Sequence, residues 1–132
     1  MKTSAQRVGR WGEELAAGYL RQRGYTLLEQ NARTPYGEID LIACQTPCDE
    51  LSNVEPIIVF VEVKTRRGSS FGWPEQAVTA RKRAHLIAAA QAYLQAHPDL
   101  SAAWRIDVIA IRGVLPDASP EIVHFENAIT GE

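Results

Sequence analysis

Residues 57–64 read Ile57-Ile58-Val59-Phe60-Val61-Glu62-Val63-Lys64. The run is β-branched and aromatic, the composition of a buried strand. It ends in an acid and a base two residues apart, and strand alternation turns both to one face, which Phe60 shares. A charge taken away from water without a partner is strongly disfavoured, so Glu62 and Lys64 ask for an explanation. A second acidic stretch lies upstream, in Gly37-Glu38-Ile39-Asp40-Leu41-Ile42. Two acids and a lysine converging from neighbouring strands point to a metal-dependent site.

Around this strand the periodicity switches repeatedly. Thr3-Ser4-Ala5-Gln6 has the form of a capping box. Val8, Trp11, Leu15 and Tyr19 recur at helical spacing before Gly24, which predicts a first helix over residues 4–23. A strand follows at Tyr25–Gln30, a turn through Pro35, and a second strand at Gly37–Cys44. Residues 45–56 carry two prolines and polar residues and read as a loop. After the central strand comes a basic, glycine-containing loop, Arg66–Trp73. Pro74 suits the first turn of a second helix running to about Ala96. Trp104–Arg112 is a fourth strand, and Glu121–Phe125 a short edge strand. The order α-β-β-β-α-β predicts an α/β fold: hairpins before the second helix, a crossover through it, and a mixed sheet flanked by helices.

The chain has 132 residues, 45% hydrophobic and 23% charged, with a formal charge of −2. This is the size and composition of one globular domain, with a core at about 4–112 and a C-terminal extension at about 113–132. The charge balance excludes a general polybasic coat for nucleic acid or membranes. Positive charge is nevertheless local: Lys64, Arg66, Arg67, Arg81, Lys82 and Arg83 crowd a segment holding one acid, Glu75. Cys44 and Cys48 lack the second ligand pair of a zinc site and read as free thiols in a reducing cytoplasm. No apolar run approaches a membrane span, so no membrane partner is expected.

Asp40 and Glu62 fit the oxygen chemistry of Mg²⁺ or Mn²⁺, which bind through one or two carboxylates plus water and phosphate oxygens. The Val63 carbonyl would add a third oxygen. Lys64 would orient a water and offset negative charge developing on a phosphate. The bland account is a Glu62–Lys64 ion pair on an exposed face. On the first helix Glu13 has a small-residue flank that another element can approach, whereas Glu14 has Arg10 four residues away. Glu38 alternates with Asp40 and is better read as a strand-edge charge. Lys82 intrudes between Val78 and Leu86 on an apolar helix face, where it either snorkels or reaches the acids or a phosphate. Gln76 is a weaker candidate for the same region. Trp73 has a stacking role or a packing one. Arg105 and Asp107 alternate and can pair with each other, and the three histidines have no ligand spacing.

An acid on one strand followed by acid-x-Lys on the next resembles the PD-(D/E)XK nuclease superfamily, with Asp40, Glu62 and Lys64 at the motif positions. More closely, Gly9-Arg10-Trp11-Gly12-Glu13, Gly24-Tyr25, Asn31, Gly37–Ile42, Phe60–Lys64, Lys82, Tyr93-Leu94 and Arg105-Ile106-Asp107 resemble the YraN family of bacterial proteins. The resemblance covers roughly Gly9–Ile111. It implies a restriction-endonuclease-like αβββαβ core similar to archaeal Holliday-junction resolvases, whose first helix supplies a glutamate, and so favours Glu13 over Glu14. Ile39 stands where many members of the superfamily have proline. The implied function is Mg²⁺- or Mn²⁺-dependent cleavage of DNA, branched or otherwise structured. Asp40, Glu62 and Val63 would hold the metal, Lys64 and Glu13 would assist, and Lys82, Arg66, Arg67 and Gln76 would contact nucleic acid. A symmetric cut would need a homodimer. Two competing readings are a non-catalytic nucleic-acid-binding or adaptor protein on the same fold, and a protein-interaction scaffold.

Overall fold

A computed structural model describes residues 4–45, 55–66, 79–100, 103–113 and 119–130. Helix α1 spans Ser4–Gln22, and strands β1, β2 and β3 span Tyr25–Thr34, Gly37–Gln45 and Ile57–Arg66. Helix α2 spans Ala80–Ala96, followed by β4 at Trp104–Arg112 and β5 at Glu121–Ile129. The five strands form one mixed sheet in the order β1-β2-β3-β4-β5. β1–β2, β2–β3 and β4–β5 are antiparallel, while β3–β4, joined through α2, is parallel. The expected α/β architecture is therefore present.

β3 is apolar at consecutive positions because helices cover both its faces. Ile58 and Phe60 pack with Leu86, Ala89, Ala90 and Tyr93 of α2. Val59 and Val61 pack with Ala16, Ala17 and Leu20 of α1. Full burial of one such large side chain contributes roughly 1.5–3 kcal/mol. On the α1 side, alanines let the helix settle close to the sheet.

Several boundaries differ from expectation, each for a local reason. β1 runs to Thr34 instead of ending at Gln30, since Asn31 adopts a left-handed conformation (φ 53°) within the strand. Asparagine tolerates that region better than most residues, so the turn signal at Asn31 marks a kink in a continuing strand. The turn itself is held by Thr34, whose hydroxyl accepts the Tyr36 N–H (3.1 Å) and donates to the Gly37 carbonyl (2.8 Å). Helix α2 starts at Ala80, later than Pro74 implied. Thr79 is its extended N-cap (φ −71°, ψ 164°) and accepts the Lys82 N–H, a contact of the kind that satisfies an otherwise orphaned first-turn donor. β5 extends past Phe125 to Ile129 by way of a second left-handed asparagine, Asn127. Thr3 and the side-chain contacts of the capping box, Arg67, Trp73, Pro74, Gln76, Val78 and Cys48 lie outside the described residues. Cys44 is a free thiol.

Candidate active site

The β2–β3 ladder runs from Gln45↔Ile57 to Leu41↔Val61 and stops there. One step further, Asp40 stands opposite Glu62. Asp40 Oδ2 accepts the Val63 N–H at 2.8 Å, so a side chain takes over where backbone pairing ends. Face alternation slips at the same place: Ile39 packs in the α2 cluster, whereas Leu41, two residues on, packs in the α1 cluster. The Asp40 carboxylate consequently lies in the seam between strands, between the two helix-covered faces. An extended residue directs its N–H and C=O to the same neighbour, so the Val63 carbonyl also faces this seam.

Glu62 is almost fully buried, with 4% of its surface exposed. A buried carboxylate needs partners, and two ammonium groups supply them. Lys64 Nζ lies 3.2 Å and Lys82 Nζ 2.9 Å from Glu62 Oε1. Lys82 comes from the first turn of α2, and its hydrogen bond to Glu62 raises its pKa. The lysine on the apolar helix face therefore reaches the acids. Burial, with the neighbouring Glu62 and Glu13 carboxylates adding to it, pushes the Asp40 carboxyl up to about 7 against the opposing effect of the Val63 N–H.

Glu13 approaches from α1. The helix can come this close because residue 12 is glycine: a Cβ there would overlap the Thr65 side chain at the end of β3. Partial burial raises the Glu13 pKa, the Glu38 and Glu62 charges add to that, and Asn31 and Arg10 oppose it. Turned so that its nitrogen meets acceptors, the Asn31 amide donates to Glu38 Oε1 (2.9 Å) and Glu13 Oε2 (3.2 Å). These residues line a cavity of about 730 Å³ together with Arg10, Gln30 and Arg33.

Among the described residues no group of three His, Cys, Asp or Glu side chains is placed to hold a metal ion by itself. The donors that do converge suit a cation that keeps much of its water. Asp40 and Glu62 are adjacent carboxylates, and burial together with the Glu62 charge resists ionisation of Asp40. A hard divalent cation bound by one or two carboxylates would relieve that repulsion.

The structure brings Asp40, Glu62, Val63, Lys64 and Lys82 together, with Glu13 at the margin. Arg66 ends β3. Glu14 pairs with Arg10 (3.5 Å) in the solvent-exposed way its spacing implies. Glu38 is exposed, as a strand-edge charge would be, but Asn31 ties it to Glu13. Two features escaped the sequence reading. One is that role of Asn31. The other is a buried network around Asp107, which is 0% exposed. Arg105 Nε (3.0 Å), the Asn127 N–H (2.9 Å) and His124 Nε2 (2.7 Å) surround its carboxylate. Burial alone would raise the Asp107 pKa, yet these contacts outweigh it and hold the carboxyl below its ordinary value. The Arg105–Asp107 pairing was readable from alternation; His124 was not, because β5 alone carries no sign of what it faces.

This assembly, an αβββαβ core with acids and lysines at the parting of two strands, defines the class of molecule. Residues 12–111 match the family described as Uncharacterised protein family UPF0102. Similar proteins include a UPF0102 protein of Syntrophomonas wolfei, 47% identical over 121 residues, covering 92% of this chain and 96% of the relative. One from Syntrophotalea carbinolica is 44% identical, covering 92% and 89% respectively. Another, from Dehalococcoides mccartyi, is 35% identical over 132 residues, the full length of both. The chain belongs to the UPF0102 family, also called YraN.

Proposed function

We propose that this protein is a metal-dependent endonuclease of the PD-(D/E)XK type acting on DNA. The observation that carries the reading is the Asp40 carboxylate, fixed by the Val63 N–H in the seam where β2 and β3 part and set against buried Glu62. A purely structural acid pair has no reason to be built at the cost of ending a ladder. Asp40, Glu62 and the Val63 carbonyl would hold Mg²⁺ or Mn²⁺, with Glu13 offering a further oxygen. When bound, the cation supplies Lewis-acid stabilisation of phosphate charge and promotes ionisation of water.

The chain's own groups supply the rest. In hydrolysis a water oxygen bonds to phosphorus, the phosphorus–oxygen bond to the leaving sugar breaks, and the leaving oxygen takes up a proton. Lys64, held beside Glu62, would hydrogen-bond the attacking water and offset charge growing on the phosphate. Lys82 would exchange part of its contact with Glu62 for a phosphate oxygen. Arg66, Arg67 and Gln76 would follow the flanking backbone, which supplies affinity rather than sequence readout. If the substrate is a four-way junction, paired symmetric cuts require two copies of the chain.

The test is cleavage of single-stranded, duplex, flap and four-way-junction DNA with Mg²⁺ or Mn²⁺, alongside the oligomeric state. Asp40→Ala and Lys64→Ala should each reduce cutting by about 10²–10⁴-fold, as removal of a positioned catalytic group does. Binding without cutting, unchanged by EDTA or by these substitutions, would instead identify a non-catalytic binding module. No affinity for nucleic acid even at low salt would leave only a scaffold.

A further inference from the structure

We propose that Asn31 is a positioning residue: its side-chain amide clasps Glu13 and Glu38 together and so aims Glu13 at the Asp40/Glu62 pair. The inference rests on the metal-site reading above and adds a residue to it. Cross-strand register places Asn31 between Gln30↔Leu41 and Ala32↔Ile39, opposite Asp40. Asp40 in turn stands one step beyond Leu41↔Val61, opposite Glu62. Asn31, Asp40 and Glu62 thus occupy one row across three strands, and Glu13 meets that row from α1.

The backbone at Asn31 is left-handed, φ 53°. A non-glycine residue there departs from the regular strand and redirects its side chain. With its nitrogen turned toward these acceptors, the amide donates to both carboxylates, at 2.9 Å to Glu38 and 3.2 Å to Glu13. Like charges brought together repel, and a neutral amide with two N–H donors can hydrogen-bond both carboxylates and hold them side by side. The helix carrying Glu13 is already fixed by the Gly12–Thr65 approach. What remains to be set is the direction of the Glu13 carboxylate, and Asn31 sets it. An outer residue of this kind acts through the group it orients, and its loss typically costs about 10–100-fold in metal affinity or activity.

The experiment compares wild type, Asn31→Gly, Asn31→Asp, Glu13→Gln and Glu13→Gln/Asn31→Gly in the full chain. Glycine keeps the left-handed backbone without the amide, so the Asn31→Gly melting temperature should stay near wild type. Mn²⁺ affinity, measured by titration calorimetry, should weaken by about tenfold in Asn31→Gly and further in Asn31→Asp, in line with lost outer-residue support. On DNA, kcat should fall by a similar factor while KM stays within about twofold, since Glu13 faces the reacting centre rather than the flanking backbone. The double variant should be no worse than Glu13→Gln, because both changes remove one function. Wild-type Mn²⁺ affinity and kcat in Asn31→Gly overturn the inference, as do losses that multiply in the double variant. A wild-type chain that binds Mn²⁺ but cuts no DNA overturns the nuclease reading alone, and the Mn²⁺ arm then decides the inference. A chain that does neither overturns both.

Discussion

The surroundings of Asp40 push it strongly toward the neutral form. Its carboxyl is pushed up to about 7 by burial and by the Glu62 and Glu13 charges, against about 3.9 for an unfolded aspartate. A carboxyl with a raised folded pKa contributes stability that is fully present below the unfolded value and lost as pH rises through the folded one. The metal-free protein should therefore lose thermal stability between about pH 4 and about pH 7 on account of this group. Asp40→Asn should flatten that decline, and Mg²⁺ should raise the melting temperature more at pH 8 than at pH 5. A metal-free melting curve that rises over this range in wild type and Asp40→Asn alike would show that Asp40 is not held this way. Asp107 has the opposite setting: fully buried but surrounded by donors, it is held below its ordinary value and favours folding at neutral pH. On the proposed function, the contrast separates an acid placed for chemistry from one placed for structure. Sequence distinguishes them only partly, since both are aspartates two residues from another charged residue in a largely apolar strand. What differs is the company each keeps: an acid on the neighbouring strand for one, and an arginine two residues along its own strand with a histidine on the neighbouring strand for the other.

Among elements, the decisive contact is α1 on β3. Gly12 leaves room for the Thr65 side chain, and the next residue is Glu13. Gly12→Ala forces the helix outward, and overpacking of this kind costs about 1–3 kcal/mol. DNA cleavage should fall with it, because Glu13 moves. Thr65→Gly in the same chain should recover stability and part of the activity. Equal losses with and without the Thr65 change, measured by denaturation and by rate, would show that the contact does not set the helix position. The element order was legible because hydrophobic period changes cleanly from 3.6 to 2 along the chain. The reach of Lys82 was legible too, as a charge out of place among apolar neighbours. The end of β1 and the start of α2 were not. Asn31 looks like a turn residue because its backbone conformation is that of a turn, and the Thr79 cap competes with the stronger signal of Pro74. The hydrogen bond that fixes Asp40 joins residues 23 positions apart and leaves no local trace.

At the scale of the molecule, the proposed function requires a chain of formal charge −2 to bind an anionic polymer through a confined patch. Lys64 and Lys82 form its described centre, both engaged with Glu62. Each phosphate neutralised releases counterions, with a slope of about −0.9 in log affinity against log salt on duplex DNA. Lys82→Ala should lower that slope by about one, weakening all sequences alike. An unchanged slope would mean that Lys82 stays on Glu62 and never meets phosphate. The sheet also keeps its strands in chain order, which bears on how the molecule assembles. Antiparallel neighbours close quickly, in about 1–10 μs for a hairpin. The parallel β3–β4 pair must wait for the whole α2 crossover. On that order Asp40 and Glu62 would meet early, inside the β2–β3 unit, before Lys82 arrives on the later-docking helix. Their mutual repulsion falls on the folding barrier as well as on the finished protein. Refolding followed by stopped flow should slow as pH rises through about 7, and Asp40→Asn should abolish the slowing. A site shaped for chemistry would in that case also act as a brake on the chain's own folding.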